Sequence, residues 1–252
     1  MNKMLALWAT PRSTSTAFER VMANRGDLTC FHEPYNEAYY YGYDRRNHRY
    51  FIADPDTPES PDLTLTSVHR KLTDLVAREP VFIKDFAYSI IHYADDSFLD
   101  CFHHSFLIRD PEKVITSMHS RWPDITLAEL GFEDLNTLFN RIADREGRKP
   151  VVIDSDELMS DPDGMMQAYC EAMDIDFVPE ALSWEAEGEN LENPTWNTDE
   201  HGFHDSLKAS TGLKKQKRNY APLDSSPDML RLYESCKPFY DSLYEQRLKG
   251  TA

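Results

Sequence analysis

Six apolar residues, Met4 to Ala9, are followed by Phe18, Val21 and Met22, which recur three and four apart. The unbroken run suits one buried strand, and the later spacing suits one face of a helix. The couplet then repeats. Short stretches with apolar residues, at 28–34 (closed by the polar His32-Glu33 pair and Pro34), 81–83, 104–108 and 150–154, predict further strands. Helical spacing at Leu65, Val68, Leu72, Leu75 and Val76, at Val114, Ile115 and Met118, and at Met165, Met166, Tyr169, Cys170 and Met173 predicts helices between or after them. Leu127, Leu130, Leu135, Leu138, Phe139 and Ile142 read as one more core-facing helix. Residues 229–248 read as the last, with Leu230, Tyr233, Cys236, Tyr240, Leu243 and Tyr244 turned inward and a bend at Pro238. Strand alternating with helix predicts an α/β fold, a parallel β-sheet flanked by helices on both faces.

Two stretches break this rhythm. Residues 35–62 hold Tyr35, Tyr39, Tyr40, Tyr41, Tyr43 and Tyr50, with Arg45, Arg46 and Arg49, then Pro55, Pro58 and Pro61. They read as a long irregular loop, either an ordered lid or a homodimer contact. Residues 183–206 are strongly acidic, and residues 207–218 invert the sign with Lys208, Lys214, Lys215, Lys217 and Arg218. Together, 183–218 read as an acidic/basic C-terminal lid, set against the plainer reading of a solvated charged face.

Composition narrows the partners. Lysine and arginine number 27 against 44 aspartates and glutamates, a net charge of −17. Such a chain is a poor general binder of nucleic acid or anionic membrane, so an anionic ligand needs local cations. No apolar run is long enough to span a bilayer, and the chain opens directly on a strand with no visible signal peptide. Cys30, Cys101, Cys170 and Cys236 are widely spaced and read as reduced, mostly buried thiols of a cytoplasmic protein. The nine histidines are scattered without metal-ligand spacing, so no metal site is expected. There is no G-x-S-x-G nucleophile elbow.

The chemistry concentrates where strands end. Thr10-Pro11-Arg12-Ser13-Thr14-Ser15-Thr16 joins the first strand to the first helix. Unpartnered N–H groups of a first helical turn, the helix dipole, four hydroxyls and one guanidinium make an anion cradle. The loop lacks the glycines and lysine of G-x-x-x-x-G-K-[ST], which suits one terminal phosphate better than a triphosphate with magnesium. His32 and Glu33 end the second strand, and either could take a proton from an acceptor group; Glu33 could equally pair with Arg12 or cap a turn. Lys84 ends the third strand beside Asp85, available for a phosphate or leaving oxygen, or for a salt bridge with an acid. Arg109 ends the fourth, with Ser117 on the helix that Pro111 starts, and together they suggest a second anion site.

These residues resemble the sulfotransferases that use 3′-phosphoadenosine 5′-phosphosulfate (PAPS). The first loop is similar to that family's 5′-phosphosulfate loop, and Arg109-Asp110-Pro111 with Ser117 to its 3′-phosphate motif. The fifth strand running into Ser155-Asp156-Glu157-Leu158 resembles its Y-E-D-L segment. The resemblance implies a sulfotransferase fold related to P-loop nucleotide kinases, spread over residues 1–252 as a single domain. It implies sulfuryl transfer from PAPS to a hydroxyl or amine of a small-molecule acceptor, with no metal. Arg12 stands where many members carry lysine on the bridging oxygen; Ser13, Thr14, Ser15 and Thr16 would hold the 5′-phosphate. Arg109 and Ser117 would hold the 3′-phosphate, helped by Gly212, Lys214, Lys215 and Arg218 of the basic loop. Lys84 matches a lysine near the transferred group. Phe86 occupies the place of the histidine base of cytosolic members, which leaves Glu33 as the best match for the base and His32 next. Ser155 replaces a tyrosine found near the adenine in many members. Two other readings stand beside this one: a metal-dependent small-molecule kinase on the same sheet, and a nucleotide-binding protein without catalysis.

Overall fold

The computed structural model describes residues 3–49, 56, 60–185, 209–215 and 220–249. Its frame is a sheet of five strands in the order β2-β3-β1-β4-β5, every neighbouring pair parallel. The strands are β1 (Met4–Ala9), β2 (Thr29–His32), β3 (Val81–Phe86), β4 (Phe102–Ile108) and β5 (Val151–Asp154). All five arise where the apolar runs predict them. β3 continues through Lys84, Asp85 and Phe86, and β4 begins at Phe102 rather than His104.

The longer helices are α1 (Ser15–Asn24), α2 (Pro34–Tyr41), α3 (Leu65–Val76), α4 (Pro111–His119), α5 (Phe132–Glu146), α6 (Pro162–Ala172) and α7 (Pro227–Tyr244). Strand periodicity of two divides the core. Met4, Ala6, Trp8, Val81 and Ile83 pack with α3, α4, α5 and α7 on one face. Leu5, Leu7, Ala9, Phe82 and Phe86 pack with α1 and α6 on the other. All six residues of β1 are buried, which gives the sheet a rigid central strand. The chain leaves β1 for β2 on one side, fills in β3 between them, and then crosses to β4 on the other. At such a reversal the connections diverge, and a crevice opens outside the carboxyl ends of the strands.

The core also absorbs a histidine. Trp8 Nε1 donates to His104 Nδ1 at 3.0 Å, so the imidazole proton sits on Nε2, which donates to the Leu99 carbonyl at 3.0 Å. Burial pushes His104 down to about 4, while its sequence neighbour His103 points to the exposed side of β4.

Three expectations need correction. Residues 35–62 are not an irregular loop throughout. Pro34 ends β2 and also opens α2 at its first turn, where its missing N–H costs nothing. Tyr35 and Tyr40 are buried core residues rather than a lid, and the Tyr35 hydroxyl bonds His69 Nδ1 at 2.9 Å. Tyrosine rings bury as readily as phenylalanine when the hydroxyl finds a partner, which a polar reading of the segment overlooks. Farther on, Arg49 pairs with Glu129 and with Asp124 (3.0 Å) and lies 4.8 Å over the Trp122 ring. Tyr50, Pro55 and Pro58 lie outside the described residues. Second, the stripe from Leu127 to Ile142 is two helices, a single turn over Leu127–Leu130 and then α5. Gly131 separates them at φ 69°, and a side chain there would meet the Tyr88 ring at 2.9 Å. Third, Leu230 is 37% exposed, although Cys236, Tyr240 and Leu243 face inward as expected.

Candidate active site

The first loop turns without glycine. Arg12 (φ 60°) and Thr14 (φ 67°) both take the left-handed conformation, which side chains adopt at a cost. Ser13 Oγ donates to the Thr10 carbonyl at 2.6 Å and braces the turn from inside. Thr14 is the N-cap of α1, yet no side chain caps that helix. The first-turn N–H groups of α1 lie just past the carboxyl end of β1, where the dipole favours an anion. Ser13 and Ser15 are buried, and Thr14 and Thr16 are half-buried.

Three other elements brace the loop. Arg12 Nε donates to Ser117 Oγ on α4 at 3.0 Å, and Ser117 Oγ donates to the Tyr220 hydroxyl at 3.1 Å. Arg109 Nη1, just past β4, donates to the Arg12 carbonyl at 2.7 Å. Thr14 Oγ1 and Ser155 Oγ, at the end of β5, share a hydrogen bond of 2.7 Å. Arg12 and Thr14 of the loop are thus joined by hydrogen bonds to Arg109, Ser117 and Ser155, far away in sequence. Ser155 is buried and spent on Thr14, so it offers no stacking surface in place of the family's tyrosine.

Across β1 lies a second cluster, of acids and bases. His32 and Lys84 are register partners on β2 and β3, so their side chains emerge on the same face. Lys84 Nζ pairs with Glu33 Oε1 and stands 3.8 Å from Glu19 Oε2. His32 Nδ1 lies 2.7 Å from Glu19 Oε2, and its Nε2 lies 3.5 Å from Glu33 Oε1. Glu33 Oε2 accepts from Asn36 Nδ2 at 2.9 Å. Of the alternatives open for Glu33 and Lys84, the pairing of each is with the other, and Glu19 is the acid that sequence reading missed. Glu19 lies on α1 between Phe18 and Arg20, where a charged pair reads as a solvent face; instead both charged residues are buried. Arg20 is covered by the Trp184 ring, 4.6 Å away.

Asp85 follows Lys84 in the strand and so points to the opposite face. Fully buried, it accepts from the backbone N–H of Tyr35 (2.6 Å), Asn36 (3.3 Å) and Phe86 (2.7 Å). Two of these donors belong to the first turn of α2. A β3 side chain therefore caps α2 across the chain and fixes Glu33, its left-handed N-cap residue (φ 49°). Burial, with the Glu33 charge second, pushes Asp85 up to about 8 against those N–H groups and Lys84.

The basic loop is described only in part. Gly212 (φ 141°) bridges Ser183 in antiparallel fashion, and a side chain there would meet the Leu182 carbonyl at 2.7 Å. Leu213 is buried, and Lys214 and Lys215 are exposed. They border an open cavity of about 500 Å³ whose wall includes Met159, Pro162, Pro179, Leu182 and Leu213. Arg218 and most of residues 183–218 lie outside the described residues. Among the described residues, no group of three or more His, Cys, Asp or Glu side chains is placed to hold a metal ion, and no helix is long and apolar enough to cross a membrane.

This arrangement can grip a polyanion on one side and exchange a proton on the other. The chain is similar to Branched-chain-amino-acid aminotransferase-like protein 2 of Arabidopsis thaliana, 25% identical over 247 residues, covering 96% of this chain and 41% of that protein. With the corresponding protein 1 it shares 25% identity over 217 residues, covering 84% and 36%. The chain thus spans about two fifths of the curated relatives it matches. Among solved structures it is similar to a sulfotransferase domain from the curacin biosynthetic pathway (14% identity, TM-score 0.49, covering 94% and 98%). It is also similar to a sulfotransferase domain from the Synechococcus PCC 7002 olefin synthase (14%, TM-score 0.48, covering 93% and 94%). The family model described as a sulfotransferase domain matches residues 2–247, and the chain belongs to that family.

Proposed function

We propose that the protein transfers a sulfuryl group from PAPS to a hydroxyl or amine of a small molecule. One observation carries the reading: a donor-rich loop follows β1 and a Lys84-paired carboxylate follows β2, both at the carboxyl edge of one parallel sheet with β3 between them. The residues suit the donor. The α1 N-terminus with Arg12, Ser13, Thr14, Ser15 and Thr16 holds the 5′-phosphosulfate end. Arg109 and Ser117 hold the 3′-phosphate, with Gly212, Lys214 and Lys215 closing from the side. In this reading the nucleobase enters the cavity beside Lys214, where Leu182 and Leu213 stand among the polar Asp163, Ser183 and Thr211.

Glu33 takes the acceptor's proton, Lys84 balances charge beside the attacked sulfur, and Arg12 steadies the leaving oxygen. Catalysis of this kind is mostly positioning and fixed charge. Glu33 is the better base on placement, because it is 19% exposed at the mouth of the cluster and His32 is 8% exposed behind it.

Thermal shift tests the donor. Adenosine 3′,5′-bisphosphate should raise the melting temperature without magnesium, because a ligand of the native state stabilises it. Stabilisation by ATP alone, and only with magnesium, would select the kinase reading. Mass spectrometry over an acceptor panel should show a gain of one sulfuryl group. Glu33→Gln should lower that turnover by about 10²- to 10⁴-fold with donor affinity retained. Unchanged turnover removes Glu33 as base, and binding with no turnover over the whole panel selects the non-catalytic reading.

A further inference from the structure

Glu19 has no role in the reading above, yet it lies fully buried at the root of the same cluster. Withdrawing a carboxylate from water costs several kcal/mol unless it is well paired, roughly as for any buried ion. Glu19 meets two bases through one oxygen, His32 Nδ1 at 2.7 Å and Lys84 Nζ at 3.8 Å. An ionised carboxylate only accepts, so the hydrogen between them belongs to Nδ1. In the neutral imidazole the lone pair is then on Nε2, which lies 3.5 Å from Glu33 Oε1. Exposure falls from Glu33 (19%) through His32 (8%) to Glu19 (0%), so the three are ordered from the crevice inward.

We propose that His32, held in its Nδ1–H form by Glu19, relays the proton that Glu33 removes from the acceptor. The proposal rests on the sulfuryl-transfer reading. The acceptor O–H or N–H bond breaks and its proton goes to the Glu33 carboxylate. The freed electron pair forms the new bond to sulfur, and the bond from sulfur to the donor's bridging oxygen breaks, leaving its pair on the phosphate. The proton then passes from Glu33 Oε1 to His32 Nε2 as the 3.5 Å gap closes, and it returns through Glu33 to water once the products leave. Charge count favours this direction. With neutral His32, the four side chains Glu19, Glu33, Lys84 and His32 carry two negative charges and one positive. One more proton makes the group neutral, restores the Glu33–Lys84 pair, and creates an imidazolium against Glu19. A buried cluster gains by such balance. Glu19 acts through His32 and is a positioning residue.

The test compares the wild type with Glu19→Gln, His32→Gln and the double variant. PAPS is the donor, with the acceptor from the panel, or water if the panel yields none. Each single variant should lower kcat at least tenfold while KM for PAPS and the bisphosphate thermal shift stay within twofold. The double variant should lose no more than His32→Gln alone, because residues acting as one unit are not additive. Unchanged kcat in His32→Gln, or losses that multiply, overturns the relay. If Glu19→Gln does not fold, ¹⁵N-histidine NMR of the wild type decides: neutral His32 in the Nδ1–H form supports the proposal, and the Nε2–H form overturns it. A wild type with neither bisphosphate binding nor PAPS turnover overturns the sulfuryl-transfer reading and the relay together, even if the Nδ1–H form is seen.

Discussion

The β1–β4 side of the crevice gathers donors, whereas the β2–β3 side gathers acids and bases in near balance. On the first side a helix start, hydroxyls and two guanidiniums converge on one loop. On the second, two glutamates, a lysine and a histidine satisfy one another before any ligand arrives. The difference separates two tasks. A loop at a helix N-terminus gains by binding a phosphate, whose charge complements the helix dipole. A balanced cluster gains little from an added ion but can pass a proton internally at small electrostatic cost.

The harshest way to break that comparison is to unbalance the second side. Lys84→Ala leaves Glu33 and Glu19 facing each other without their cation, one of them fully buried. It should cost about 3–5 kcal/mol of stability by urea unfolding, as removal of one partner of a buried ion pair does, and should abolish turnover. A loss under about 1 kcal/mol would mean that the cluster is not held by charge, since that is no more than an exposed pair contributes. Removing a cation from the donor side should act differently. Arg109→Ala should weaken the 3′-phosphorylated nucleotide about 10- to 100-fold, the worth of a charged hydrogen bond. The analogue without that phosphate should lose far less; equal losses for both would confine Arg109 to bracing the Arg12 carbonyl.

The last signal is a slope. Asp85 has its carboxyl raised from 3.8 to about 8 in the folded chain, so between those values the native state holds a proton that the unfolded state has lost. This contribution is full below about pH 4 and is lost as pH rises through about 8, so stability falls with pH across that window. Asp85→Asn, a neutral stand-in, should flatten the fall by up to about 1.4 kcal/mol per pH unit, the value of one proton. An unaltered slope in equilibrium unfolding would assign the dependence to other groups.

The donor side was legible because it is local. A loop of hydroxyls between a strand and a helix declares itself within a few residues, and Arg109-Asp110-Pro111 with Ser117 spans barely more. The sheet was legible for the same reason, since β1 is an unbroken apolar run buried on both faces and the other strands hold shorter ones. His32, Glu33 and Lys84 were nameable one by one as strand-end residues. Their partners were not. Glu19 becomes a partner only through the packing of α1 on the sheet, and Asp85 reaches α2 only because β3 extends beyond its apolar run. Nothing near either residue distinguishes it from a solvated acid. α2 escaped because its inward face is written in tyrosine, and the break at Gly131 because the apolar stripe continues across it.

Arg12, Thr14 and Glu33 share a backbone twist that ordinary residues avoid, each at roughly 1–2 kcal/mol. A chain selected only for robustness would put glycine at all three corners and relax. Thr14 ties the loop to β5, and in the proposed reaction Arg12 grips the anion and Glu33 receives the proton. Heat-hardening the protein at these corners would therefore be self-defeating: the sturdier variant would keep its shape and lose its chemistry.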